Sequence, residues 1–123
     1  MTSLVLSLNK FSYFGPMIVV VFKYLTRFGI RGLTLYPFVI VADSFAADDV
    51  VLINHERIHL RQQLELLVIP FYIWYLLAFA YGRIKFGNWY DSYRNICFEK
   101  EAYANENNFE YLKTRLFWGF WGF

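Results

Sequence analysis

The sequence predicts an α+β fold that is mostly α, and three observations carry that expectation. Leu33 to Ala42 (LTLYPFVIVA) is β-branched and aromatic, the composition of a strand. From Val50 to Tyr81 the chain contains no Gly and one Pro, which reads as a long helix. Tyr90 to Arg115, rich in Glu, Asn and Tyr, reads as a final helix. At 123 residues the chain has the length of a single domain, spanning 1–123, with room for one core and one site.

Taken in order, the N-terminal third alternates short apolar pieces with basic residues. Met17 to Phe22 is too short to span a bilayer and is followed by Lys23, Arg27 and Arg31. No cleavable secretory signal is expected, because Lys10 follows the first apolar stretch and Gly15-Pro16 interrupts the next. Gly32 opens the strand, and Pro37 demotes it to an edge or a bulge, since Pro cannot donate to a ladder. An edge strand can take up an extended peptide as a further strand. Asp43 to Asp49 (DSFAADD) reads as a loop that offers Asp48 or Asp49 as a helix N-cap.

The helix beginning near Val50 is expected to kink at Pro70. Residues 66–82 carry no charge and extend over roughly 25 Å, near the lower limit for a membrane-spanning helix. Tyr72, Trp74, Tyr75 and Tyr81 lie along this stretch, and Arg83 and Lys85 follow it. The expected location is therefore a membrane, integral or tightly associated, with lipid as a partner. Basic residues on both sides, Arg57 and Arg61 before and Arg83 and Lys85 after, leave orientation and topology open. Gly87-Asn88 marks a turn. The tail LFWGFWGF suits a membrane interface or a packed end.

Composition agrees with this pattern. The chain is 58% apolar and 23% aromatic but only 18% charged, against roughly 25% charged in an average globular chain. Disorder is excluded. A net charge of +2 without a basic run gives no phosphate-binding stripe, so nucleic acid is not an expected partner. The lone cysteine, Cys97, forms no intrachain disulfide and reads as a small buried hydrophobe. The oligomeric state is not legible.

One motif carries chemistry: His55-Glu56-Arg57-Ile58-His59, which contains both histidines of the chain. On a helix, residues four apart share a face, so the two imidazoles can hold one metal ion with Glu56 beside it. That arrangement suits zinc hydrolysis, with Glu56 as the general base. Two histidines are too few for a histidine-box oxygenase, and a single Glu-x-x-His excludes a ferritin-like di-iron site. A carboxylate must complete the site, and Glu99, Glu101, Glu106 and Glu110 are the downstream candidates. Ala102 and Ala104 would let their helix approach the first closely. Gln62 and Gln63 either hydrogen-bond a ligand or belong to a solvated face. Among ten tyrosines none stands out as a transition-state stabiliser.

With these residues in view, the chain resembles a zincin metallopeptidase of the gluzincin type, in which an HExxH helix is followed by a helix supplying a Glu ligand. Within that group it is similar to small membrane-associated proteins bearing segments like NHERIHLRQQLE and FEKEAYANE. The resemblance covers Leu52 to Tyr111. It implies zinc on His55 and His59, hydrolysis of a peptide or protein substrate, and Glu99 as third ligand from Phe98-Glu99-Lys100-Glu101-Ala102. In that register Tyr103 stands where such families place Asp or Asn. The alternative register makes Glu101 the ligand and Asn105 the partner of a histidine. Positions 99 and 101 lie about 200° apart on a helix, so only one of them can face the metal. The rival expectation is a non-catalytic membrane protein whose metal is structural and serves binding or assembly, since 123 residues leave little material for a substrate cleft. A soluble zincin that dimerises through its apolar helix is a third.

Overall fold

The computed structural model describes residues 17–123 in full and the backbone of Leu6–Asn9. Strands β1 (Leu6–Asn9), β2 (Met17–Val21), β3 (Gly32–Leu35) and β4 (Phe38–Val41) form one sheet in the order β1-β2-β4-β3. β2 and β4 run parallel, whereas β1 pairs with β2 and β3 with β4 antiparallel. The single strand expected across Pro37 is thus a hairpin. The chain reverses at the cis Tyr36-Pro37 peptide, β4 lies inside the sheet, and β3 is one of its two edges. Met17 to Phe22, which gave no strand signal beyond its apolar composition, supplies β2. Val19, Val21, Val39 and Val41 alternate onto one face and pack with Ala46 and Leu60.

The loop expected at Asp43 to Asp49 contains a short helix, α1 (Ser44–Asp48), capped by Asp43 Oδ1, which accepts from Ala46 N at 2.8 Å. Asp49 then caps α2 (Val50–Glu65): its Oδ1 accepts from Val51 N and Leu52 N, both at 3.1 Å. Arg31 Nη1 donates to the other Asp49 oxygen at 3.0 Å, tying the start of β3 to the start of α2.

The long kinked helix is two helices. α2 and α3 (Ile69–Phe86) meet at 113°. The break lies at Leu66–Val68, with φ of 62° at Leu67 and 66° at Val68, and Pro70 stands in the first turn of α3. Pro is well tolerated there because the first helical N–H groups have no partner, so it starts a helix instead of bending one. Among the described residues no single helix is long and apolar enough to cross a membrane; α2 and α3 pass that test only as the bent pair.

The C-terminal helix is likewise divided, into α4 (Trp89–Arg94), α5 (Cys97–Asn105) and α6 (Tyr111–Thr114). Asparagines account for both breaks by offering the backbone side-chain partners. Asn95 Nδ2 donates to Asp91 O at 2.8 Å, and Asn108 Oδ1 accepts from Glu110 N at 3.1 Å. α4 approaches α3 at Gly82, where an added Cβ would lie 2.9 Å from the Ser92 Cα.

α5 packs on α2 through Ile58 and Ala102, both fully buried, while Ala104 is exposed and takes no part. Phe98 is fully buried among Phe71, Trp74 and Phe120, with ring centroids 4.5, 5.3 and 4.9 Å away. The tail packs too: a 3-10 turn over Gly119–Gly122 buries Phe120 completely. Cys97 is half-buried against the same aromatic cluster.

Candidate metal centre

α2 presents His55 and His59 on one face, four residues apart, and α5 lays Glu99 against them. Glu99 Oε1 lies 3.1 Å from His55 Nε2 and 3.1 Å from His59 Nε2, and the two Nε2 atoms are 3.1 Å apart. All three side chains are buried. Three donors at 2.0–2.1 Å from a tetrahedral zinc would stand about 3.3 Å from one another, so these separations suit a small first-row ion. Among the described residues this is the one group of three or more His, Cys, Asp or Glu side chains able to hold a metal ion.

Each donor is oriented from behind. Glu106 Oε2 accepts from His55 Nδ1 at 2.8 Å, and Gln62 Oε1 accepts from His59 Nδ1 at 2.8 Å, which leaves both Nε2 lone pairs for a metal. Gln62 is fully buried because its Nε2 is also used, donating to Phe98 O at 3.0 Å and Glu101 Oε1 at 2.9 Å. Tyr75, from α3, donates to Glu99 Oε2 at 2.7 Å, so one Glu99 oxygen is held and the other faces the imidazoles. Asn54 sets the position of Glu106: its Nδ2 donates to the carbonyls of Glu106 and Asn108 at 2.8 and 3.1 Å.

Electrostatics follow from this crowding. Without a metal, burial alone would lower the His59 pKa, but the Glu99 carboxylate raises it, to about 9, so a cation entering the site would displace the Nε2 proton. Burial pushes Glu99 up, yet the two imidazoles hold its carboxyl well below the usual range. Burial and then the Glu99 charge push the Tyr75 hydroxyl up, so it remains a donor.

The structure separates the four carboxylate candidates. Glu99 meets the imidazoles, and Glu106 supports His55 from its far side. Glu110 is exposed. Glu101 does not reach the imidazoles: besides the Gln62 amide it pairs with Arg115 Nε and accepts from Arg115 Nη2 at 3.1 Å and Tyr111 OH at 2.6 Å. Arg115 also donates to Glu65 at 2.8 Å. Asn105 Nδ2 donates to Glu101 O, not to a histidine. Tyr103 packs edge-on against the His55 ring at 4.5 Å, with the Arg94 guanidinium 3.7 Å over its own ring.

Glu56 is buried beside the cluster, with its carboxylate bonded by the Thr34 hydroxyl from β3. β3 comes close: a Cβ on Gly32 would lie 3.2 Å from Glu56 Oε1. Gln63 bridges the sheet edge, its Nε2 donating to Thr34 O at 2.8 Å and its Oε1 accepting from Tyr36 N at 2.7 Å. Tyr72 OH also donates to Thr34 O. Gln62 and Gln63 therefore serve the site and the sheet instead of forming a solvated face.

A cleft of about 620 Å³ opens over these groups, between β3 on one side and Tyr75, Tyr90 and Tyr103 on the other. Sequence reasoning missed Thr34 and Tyr75, which carried no local signal. It weighed Glu106 only as a ligand. No family model, curated protein or solved structure matches this chain.

Proposed function

We propose that the chain is a zinc-dependent metallopeptidase. The observation that carries the reading is the convergence of His55, His59 and Glu99, three donors with Glu56 free of them and held by Thr34, on the floor of a cleft. Bound there, zinc supplies Lewis acidity, polarising a carbonyl and lowering the pKa of a water to about 7.

The chain's own groups do the rest. Glu56 accepts the proton of the attacking water and returns it to the leaving amine, and Thr34 holds that carboxylate in place. Glu106 and Gln62 favour the tautomer of each imidazole that offers Nε2, and Tyr75 holds one Glu99 oxygen, leaving the other facing the imidazoles. An extended peptide would have β3 to lie along: Arg31 O accepts from Ala42 N, so the alternate backbone groups at Gly32 and Thr34 turn outward from β4, on the side of the cleft those residues line. Past Thr34 O the edge is already taken by Gln63, which limits how far an added strand runs. Three donors, not four, and a cleft above them favour catalysis over a purely structural metal.

The test is Glu56→Gln. It should leave zinc stoichiometry unchanged and slow cleavage of a library of quenched fluorescent peptides by about a thousandfold. Cleavage at the parent rate with full zinc content would remove the mechanism.

A further inference from the structure

The outward face of α3 is apolar along its length. Ile69, Ile73, Leu76, Leu77, Tyr81 and Ile84 are all exposed, Leu77 at 66% and Ile84 at 86%. Position 75, which reaches the metal site, lies about 200° from positions 73 and 77, so this face turns away from the cleft. The tail extends the patch: Trp121 is 71% exposed and packs on Trp74 with ring centroids 5.9 Å apart, and Leu116 and Phe117 are exposed nearby in sequence. Exposed apolar surface on this scale marks an interaction site.

Charge identifies the occupant. No acidic residue occurs between Leu66 and Tyr90, while Arg83 and Lys85 are exposed at the end of the face. The nearest preceding acid, Glu65, is consumed by Arg115. α3 itself carries no carboxylate, so a second copy docked face to face would bring apolar side chains, with only Asp91, beyond the end of α3 on α4 and already bonded by Asn88 Nδ2, as a counter-charge for both Arg83 and Lys85. A bilayer surface supplies both, hydrocarbon for the helix face and phosphates for its basic end, and Trp and Tyr at the margins are favoured in that zone.

We infer that the outer face of α3, with the Trp121 tail beside it, docks on an anionic lipid bilayer, with the helix lying in the interface plane instead of crossing it. α3 extends over about 27 Å, and the metal site sits one helix diameter, about 10 Å, above the lipid. The inference does not depend on the hydrolase reading.

The test is co-sedimentation of the zinc-loaded full chain with phosphatidylcholine vesicles, with and without phosphatidylglycerol. The chain should bind, more tightly to the anionic vesicles. The double variant I73E/L77E, at two exposed positions, should weaken binding by about tenfold or more. Neutralising Arg83 or Lys85 to Gln should weaken it by about fivefold each on anionic vesicles. Phe45→Glu, on α1 and equally exposed, should leave it unchanged. Zinc content is measured on every variant, so loss of lipid binding is separable from loss of the metal site. Absence of vesicle binding, binding indifferent to I73E/L77E, or a dimer that I73E/L77E dissociates without any affinity for vesicles would each overturn the inference.

Discussion

Two glutamates two residues apart carry opposite roles, and substitution separates them. Glu99 faces the imidazoles, whereas Glu101 is fully buried against Arg115 and Tyr111. Glu99→Gln should abolish stoichiometric zinc binding while, compared in the absence of zinc, unfolding at close to the parent's free energy. Glu101→Gln should retain zinc but lower unfolding free energy by about 2–4 kcal/mol, because it strips the buried Arg115 of one carboxylate while Glu65 remains. Zinc titration and urea unfolding of both variants check the pair. At this scale the sequence was legible wherever chemistry is local. The i, i+4 spacing makes His55 and His59 neighbours on any helix, and the geometry of α5 allows only one of Glu99 and Glu101 to face them. Thr34, Tyr75 and Glu106 reach the site from β3, α3 and the end of α5. Their roles come from packing between elements, which no spacing records.

The sharpest element-level feature is the break between α2 and α3. Val68 has φ 66° and ψ −66°, and Ile69 N donates to Leu67 O at 2.8 Å, a tight γ-turn with a β-branched residue at positive φ. That conformation costs about 1–3 kcal/mol. Val68→Gly should therefore raise the unfolding free energy by about 1 kcal/mol after the lost side-chain contacts are offset, as thermal and urea denaturation would show. A fall in stability would mean that Val68 packs more than it strains. The turn explains why the sequence read as one helix: Leu66 to Ile69 are all good apolar residues, and the only punctuation, Pro70, serves the start of α3. The same limit applies to the hairpin at Tyr36-Pro37, where Pro37 signalled an interruption but not a reversal.

For the molecule as a whole, the candidate metal site is a joint between layers. α2 brings two donors and the base, α5 the third donor, α3 the hydroxyl behind it and β3 the clamp on Glu56, so an ion bound there links all four. With zinc at a thousand times its dissociation constant, its removal should cost about 4 kcal/mol. The thermal midpoint after chelation should then fall by an amount on the order of 10–20 °C, read by calorimetry with and without chelator. An unchanged midpoint would show that no metal binds in the folded state. The class of fold was readable from composition and from long Gly-free stretches, because a mostly helical chain announces its helices. The arrangement of the sheet was not, since β2 and β4 pair in parallel across residues far apart in sequence.

The Gln63 side chain has one more consequence. An exposed edge strand is a template on which further chains can stack into fibrils. By occupying Thr34 O and Tyr36 N with a single amide, Gln63 gives the end of β3 the hydrogen bonds of a neighbouring strand without the strand. A chain this rich in aromatics is thereby shielded from self-templating growth along that end of β3, by the helix that also carries the histidines.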